Sequence, residues 1–396
     1  MYGVAKDRSE TTNMKRLQKL KDMMIYKDGQ YNCFPNIVRN GEGRLIVAFR
    51  QAPDRSLLFP AKHTHVDAAS KAVYVTSDDE GQSWSPEPSV LYEDFCLGVQ
   101  DPCLNVLRDG TLIATFFTWQ VLLKEDVDVL NPQRYEAIIG DRWVRRLCWA
   151  CSMRSTDGGA TWEEPVRITD HDRGLPSRNI RGNLVELDNG DLVLPLYIRE
   201  ADSSVAIAAI SRDRGQSWEP HSTIASSPER YFHEPNLYRT DSGKLIAFLR
   251  STDLRPVPDD RKHPLFVCES FDNGATWSTP REYAIYSHSP FHLLRLNSGR
   301  VLLTYGHRIA PYGIRAYMLD SECSDLDTSE EIVLRSDAPG TDIGYTSSVQ
   351  LSNDDIMIVY YYYDEHDRKR YIAGTLCREL GGGTDVGGAH ENGGNQ

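Results

Sequence analysis

Acidic, basic and imidazole side chains recur in this chain at one kind of place, just before or just after short apolar runs. They fall into six groups along the sequence. The first is Arg50, Asp54, Arg55, His63, His65 and Asp67, and the second is Gln100 and Asp101 before Pro102. Arg178 and Arg181 follow, then His233 and Glu234 before Pro235, with Arg250 further on. The last two groups are His288, His292, His307 and Arg308, and Asp342 with Tyr345. Asp, Glu and His exchange protons under mild conditions. Arginine offers a planar fork that grips a carboxylate through paired hydrogen bonds. Taken singly, each of these residues reads as a solvated loop group or a structural hydrogen-bonder. Their recurrence at one register points to a shared site. His233, Glu234, His288 and His292 imitate a metal-ligand set, but no His-x-x-x-His lies on an expected helix, so neither metal nor other cofactor is expected.

The runs beside these groups are themselves a repeat. Six segments read as a turn followed by an apolar strand: Gly43-Arg-Leu-Ile-Val-Ala-Phe49, Gly110-Thr-Leu-Ile-Ala-Thr-Phe116, Gly190-Asp-Leu-Val-Leu-Pro-Leu196, Gly243-Lys-Leu-Ile-Ala-Phe-Leu249, Gly299-Arg-Val-Leu-Leu-Thr-Tyr305 and Asp354-Asp-Ile-Met-Ile-Val-Tyr360. Each has a further apolar strand before it, such as Ser347-Ser-Val-Gln-Leu351. One four-stranded antiparallel blade per period, with blades packed radially, accounts for this pattern. The expected fold is all-β, a six-bladed β-propeller over residues 25–380. The longest period leaves room for an insertion over Leu122 to Arg146. In a propeller, ligands bind at one mouth of the central channel, near the ends of the innermost strands.

Composition sets limits. A chain of 396 residues with 40% hydrophobic residues can bury a propeller core. A net charge of −13 argues against nucleic acid as a partner, because phosphate binding needs clustered Lys and Arg. No apolar stretch approaches a membrane span, so no membrane partner is expected. The eight cysteines match no disulfide framework, and Cys148-Trp-Ala-Cys151 lacks a second CxxC, so buried free thiols are expected. No signal sequence is recognisable, which makes the cytoplasm the default location; a trimmed secreted or periplasmic form would look the same. Residues 1–24 read as an extension with a weakly helical basic stretch from Met14 to Met24. Residues 381–396 read as a flexible Gly-rich tail.

Four copies of Ser-x-Asp-x-Gly-x-x-Trp stand at Ser77 to Trp84, Ser155 to Trp162, Ser211 to Trp218 and Ser270 to Trp277. The expected form is a hairpin turn. Ser and Asp bond to turn backbone groups, Gly takes a positive φ, and Trp folds back on the next strand. The pattern is the Asp-box, or BNR repeat, and four copies resemble the sialidase family and its relatives. The resemblance spans about residues 25–378.

What this resemblance implies is specific at several residues. Glu234 through Arg250 matches the family's fourth-blade segment, with a Glu before the inner strand and an Arg just after it. Gly344-Tyr345-Thr-Ser-Ser-Val matches the segment carrying the family's nucleophilic Tyr. Arg308 matches the Arg that follows the fifth-blade strand, and Asp67, with Asp54 second, matches the acid/base Asp. Asp101-Pro102 and Leu194-Pro-Leu-Tyr197 are similar to second- and third-blade segments. The implied reaction is retaining hydrolysis of a terminal, acidic sugar on a glycan or oligosaccharide. Tyr345 would attack, Glu234 would take its proton, and Asp67 would serve the leaving oxygen. Arg50, Asp101, Arg178, Arg181, His233, Arg250, His292 and Arg308 would bind substrate. One departure stands out. The family's Tyr-Arg-Ile-Pro, whose Arg belongs to a three-arginine carboxylate clamp, is here Tyr31-Asn-Cys-Phe-Pro35. A carbohydrate lyase, another sugar-active propeller enzyme or a non-catalytic glycan-binding propeller are the alternatives.

Overall fold

The computed structural model describes residues 16–55, 65–129, 136–139, 142–168, 179–200 and 203–381. Six antiparallel sheets are stacked as blades, and each chain segment runs outward through its own blade. Blade one is Tyr31–Arg39, Leu45–Ala52, Lys71–Ser77 and Ser89–Tyr92. Blade two uses Leu97–Val106, Leu112–Leu123, Trp143–Ser155 and Val166–Arg167, with Glu136–Ile139 paired on as a fifth strand. That extra strand lies within the insertion expected from the long second period. Blades three, four and five begin at Val185–Glu186, Arg230–Arg239 and Phe291–Arg295.

Blade six shows that the propeller begins earlier than residue 25. Its inner three strands are Gly344–Gln350, Ile356–Tyr362 and Tyr371–Glu379, and its outermost strand is Leu17–Tyr26. The basic segment expected to be weakly helical is therefore a strand. It pairs antiparallel from Leu17 opposite Glu379 to Tyr26 opposite Ile372. Joining segments from the two ends of the sequence in one sheet closes the ring of blades. The tail beyond Gly381 lies outside the described residues.

The second strand of each blade is a continuous apolar run because both of its faces are covered by neighbouring blades. Leu245, Ile246, Ala247 and Phe248 are all buried, as are Leu45 to Phe49 and Ile356 to Tyr360. Seven of the eight cysteines are buried and Cys96 is exposed, and all eight are free thiols.

The four Ser-x-Asp-x-Gly-x-x-Trp segments join the third and fourth strands of blades one to four. In the second copy, Ser155 Oγ donates to Asp157 Oδ1 at 2.8 Å and accepts the Gly159 N–H at 2.9 Å. Asp157 also accepts the Thr161 N–H at 2.9 Å and its hydroxyl at 2.5 Å. Gly159 has φ 96°, which only a residue without Cβ adopts freely. Blade five has an equivalent that the sequence pattern conceals. Asp320 accepts the N–H groups of Glu322 and Ser324 and the Ser324 hydroxyl, although Glu322 stands at the Gly position and the positive φ, 53°, falls on Cys323.

These turns lie on the rim and predict a stability effect separable from activity. The Thr161 hydroxyl and N–H hold Asp157 down to about 2. A depressed carboxylate pKa stabilises the fold above its ordinary value near 4, and that stabilisation disappears as pH falls through about 2. Asp157→Asn should therefore lower Tm at neutral pH while leaving the function of the folded protein unchanged. The Tm gap should close on acidification from about pH 4 to about pH 2. Thermal melts across that range check it, and a gap that stays constant would contradict the assignment.

Candidate active site at the channel mouth

The inner strands of four blades share one irregularity. The strand ladder slips between Cys33 and Asn36, Gln100 and Cys103, His233 and Asn236, and Gly344 and Ser347. Each slip is a β-bulge, and its first bulged residue has a positive φ: Phe34 at 56°, Asp101 at 47°, Glu234 at 41° and Tyr345 at 56°. In three of the four the next residue is proline, which has no N–H to place in the ladder. The bulge re-aims these side chains so that they meet near the axis. The Phe34 and Tyr345 rings lie 4.5 Å apart. Tyr345 Oη donates to Glu234 Oε1 at 2.5 Å.

Three guanidinium groups surround this pair. Arg250 Nη1 donates to Glu234 Oε2 at 2.6 Å and lies 3.4 Å from Tyr345 Oη. Arg181 stands 5.0 Å from the Tyr345 ring centre and Arg308 stands 5.4 Å from it. Burial pushes the Tyr345 phenol well above its ordinary range, and Glu234 adds to that, against the opposing fields of Arg250 and Arg308. Burial would also raise Glu234, but Arg250 and the Tyr345 hydroxyl together hold it below the usual value. The resting pair is thus a carboxylate accepting from a neutral phenol.

The arginine forks are largely committed to the protein. Arg181 donates to the carbonyls of Phe34, Pro35 and Tyr345 at 3.3, 2.9 and 3.2 Å. Arg308 donates through Nε and Nη2 to Ile343 O at 2.9 and 2.8 Å, and also to His288 O and Tyr361 Oη. Arg50 is wholly buried, with Nη1 on Cys33 Sγ at 3.6 Å and Nε and Nη2 unpartnered. Cys33 stands where the resembled family has its first clamp arginine, so no three-arginine clamp is assembled here.

Asp101 is 2% exposed and its Oδ1 has no hydrogen-bond partner. Burial pushes its carboxyl up to about 8, with Arg181 working against that and Glu234 adding to it. Asp67 behaves differently. Arg55 grips it side-on, through Nε on Oδ2 and Nη2 on Oδ1 at 3.0 Å, and the Ala69 N–H adds a third bond. Its carbonyl sits so close to Gly98 that a Cβ there would meet it at 1.8 Å.

His292 and His233 serve the frame around the pair. His292 is buried, and its Nε2 accepts the Ser348 N–H at 3.0 Å. His233 contacts Ser204 Oγ at 3.1 Å and lies edge-on to Tyr197 and Tyr231. On blade five's side, the His263 and His288 rings are 3.7 Å apart, and burial holds both imidazoles neutral, down at about 4 and about 3. Asp54 pairs loosely with Lys369 at 3.8 Å. Arg178 and His63 lie outside the described residues.

Asp342 forms a second polar centre behind Phe34. It accepts from Tyr31 Oη at 2.6 Å, Tyr361 Oη at 2.8 Å and Arg370 Nε at 2.8 Å, and contacts His65 Nε2 at 3.0 Å. Burial opposes its charge, but His65, Arg370 and Tyr31 keep it well below the carboxylate range. Phe34 was not among the candidates from sequence. The signal was available, since Phe34-Pro35 repeats the pattern of Asp101-Pro102 and Glu234-Pro235. No group of three or more His, Cys, Asp or Glu side chains among the described residues could hold a metal ion. No described helix is long and apolar enough to cross a membrane.

A family model described as the BNR repeat-like domain matches residues 135–358, more than half of the chain. The chain belongs to the BNR repeat-like domain family. The protein has a six-bladed propeller fold of the kind seen in sialidases. A structure of a protein of unknown function from Dyadobacter fermentans is 31% identical, with TM-score 0.83, covering 92% of this chain and 100% of that one. The NanB sialidase from Streptococcus pneumoniae shares the fold at 13% identity and TM-score 0.63, covering 90% of this chain and 70% of that one. A xyloglucanase of Acetivibrio thermocellus is 22% identical over 201 residues, 47% of this chain. The match spans 22% of that enzyme's own length.

The buried acid gives this BNR propeller a pH signature. A carboxyl raised to about 8 in the fold and titrating near 4 when unfolded binds its proton more tightly in the native state. Stability is therefore lost as pH rises between those values. Asp101→Asn removes that dependence. Denaturant unfolding should show the variant gaining on the unsubstituted protein between pH 5 and pH 8, a window set by those two values. A difference that is flat or falls with pH would refute the buried neutral acid.

Proposed function

We propose that the protein is a retaining exo-glycosidase in which Tyr345 is the nucleophile and Glu234 its base. The observation that carries this reading is the 2.5 Å contact between Tyr345 Oη and Glu234 Oε1, enclosed by three guanidinium groups. A glycan-binding surface has no need of a buried phenol pressed on a carboxylate. Phenolate formation in a buried site is costly, and the positive charge of Arg181, Arg250 and Arg308 lowers that cost where the charge develops. As the phenol oxygen attacks the anomeric carbon, its proton passes to Glu234. The glycosyl group is then carried on Tyr345 until water releases it with net retention.

The surroundings favour an acidic sugar. Among the described residues, Arg50, Arg181, Arg250 and Arg308 outnumber the carboxylates around them, which are Glu234, the largely protonated Asp101 and, on Arg308's side, Asp342, in a chain of net charge −13. The mouth is then a positive spot on a negative molecule, which draws anions. With Cys33 at the first clamp position and Arg308 held by Ile343 O and Tyr361, an anomeric carboxylate would find Arg250 alone among the clamp positions. A uronic acid, whose carboxylate stands away from the anomeric carbon, fits this arrangement better than a sialic acid.

A panel of aryl glycosides of sialic, uronic and deoxy sugars tests the assignment. Turnover should be greatest on a uronide and should release reducing sugar. An unsaturated, ultraviolet-absorbing product would instead establish a lyase. Tyr345→Phe keeps the ring packing and removes the attacking oxygen. It should lower kcat by about two or more orders of magnitude while leaving ligand binding intact. A fluorinated slow substrate should add one glycosyl mass to the unsubstituted protein and none to the variant. Near-normal turnover by Tyr345→Phe would rule out the covalent mechanism.

A further inference from the structure

Resting on that reading, we infer that His65, oriented by Asp342, is the proton donor and acceptor at the mouth. Retaining hydrolysis needs a group that protonates the leaving oxygen and later deprotonates water. The carboxylate expected in that role, Asp67, has both oxygens committed to Arg55 and one also to the Ala69 N–H. Asp101 is almost wholly buried, beneath any leaving group at the rim. Glu234 already serves Tyr345 and Arg250.

His65 has the placement that these lack. Its side chain is 39% exposed, and its ring stands edge-on to Phe34 at 5.0 Å, while Phe34 packs on Tyr345 at 4.5 Å. One ring thus separates the imidazole from the nucleophile. Nε2 contacts Asp342 Oδ1 at 3.0 Å, so that nitrogen carries its hydrogen toward the carboxylate and Nδ1 is the nitrogen that exchanges protons. Asp342 is itself fixed by Tyr31, Tyr361 and Arg370, three partners from two blades. A histidine oriented by a half-buried carboxylate that is itself held by hydrogen bonds is a recurring device for moving protons at an active site. Among the described residues, the groups that face the ring are Asp342, Tyr31 and Phe34. Arg370 and Tyr361 act on it through Asp342, and Asp67, paired with Arg55, lies two residues along the chain.

Tyr345 Oη bonds to the anomeric carbon and gives its proton to Glu234. The bond to the leaving oxygen breaks, its electron pair stays on that oxygen, and the oxygen takes the proton from Nδ1 of the imidazolium. In the second half, neutral His65 accepts a proton from water as the water oxygen bonds to the anomeric carbon. The bond to Tyr345 breaks, its pair returns to the phenol oxygen, and Glu234 returns the proton.

The test is leaving-group dependence in His65→Gln, compared with the unsubstituted enzyme on its best sugar. A dinitrophenyl glycoside needs no proton to depart, so its first step should be nearly unaffected, read as the burst of released phenol. An alkyl glycoside needs the proton, and its kcat/KM should fall about 10²–10⁴-fold. The fall of kcat/KM on the alkaline side, where the acid loses its proton, should vanish in the variant. Equal losses on both substrates with the pH profile unchanged would show that His65 only shapes the mouth and would overturn the proposal. So would an unaffected alkyl glycoside, or the same selective pattern in Asp67→Asn or Asp101→Asn instead. An unsubstituted enzyme that turns over no glycoside in the panel would overturn the glycosidase reading and this role with it. An enzyme that is active and indifferent to His65 would overturn this role alone.

Discussion

Everything at the mouth depends on the β-bulge that opens the inner strand of blades one, two, four and six. A regular strand would send alternate side chains into the two blade interfaces and none toward the axis. The extra residue breaks that alternation and holds Phe34, Asp101, Glu234 and Tyr345 in a left-handed conformation. For side chains of this size such a conformation costs on the order of 1–3 kcal/mol each. The surrounding frame offsets that cost. Arg181 bonds three carbonyls at two of the bulges, and Ser289 Oγ accepts the Tyr345 N–H at 3.1 Å. Gly344 meets Gly306 so closely that a Cβ on either would stand within 2.8 Å of the other's backbone.

The same bonds explain how a buried site carries so many guanidinium groups. Arg181 and Arg308 are solvated mainly by carbonyl dipoles and not paired with carboxylates. Their charge remains available to the Tyr345 ring between them. A carboxylate partner would have cancelled it. Arg55 with Asp67, and Arg370 with Asp342, are the opposite case, where paired charges hold loop and blade together at the rim. The site thus separates structural ion pairs from uncancelled arginines, and the uncancelled ones cluster around the proposed nucleophile.

Much of the site was legible because propeller topology converts sequence register into spatial position. Glu234 and Tyr345 are 111 residues apart, yet both stand at the bulge of an inner strand and therefore meet. Arg250 lies toward the end of one second strand and Arg308 just after another, and both fall beside them for the same reason. Register alone does not say where a side chain's hydrogen bonds go. Arg308 occupies the expected place but directs its fork at Ile343 O and Tyr361, and Arg50 turns inward to Cys33. The first blade's loop was the least legible part, since the Arg55–Asp67 pair and the His65–Asp342 contact join residues that no repeat relates.

By itself the sequence determined the blade number, the rim turns and the segments that carry Asp101, Glu234, Arg250 and Tyr345 to the mouth, because each follows from a local period of apolar, turn and polar residues. It also showed that one clamp arginine was missing. Tertiary structure alone decided that the strand closing the ring is Leu17–Tyr26, since its pairing with Tyr371–Glu379 joins segments more than 340 residues apart. It alone decided which charges are cancelled and which stay uncancelled. That balance depends on burial and on distances of a few ångströms between blades, and neither quantity is encoded in any single repeat.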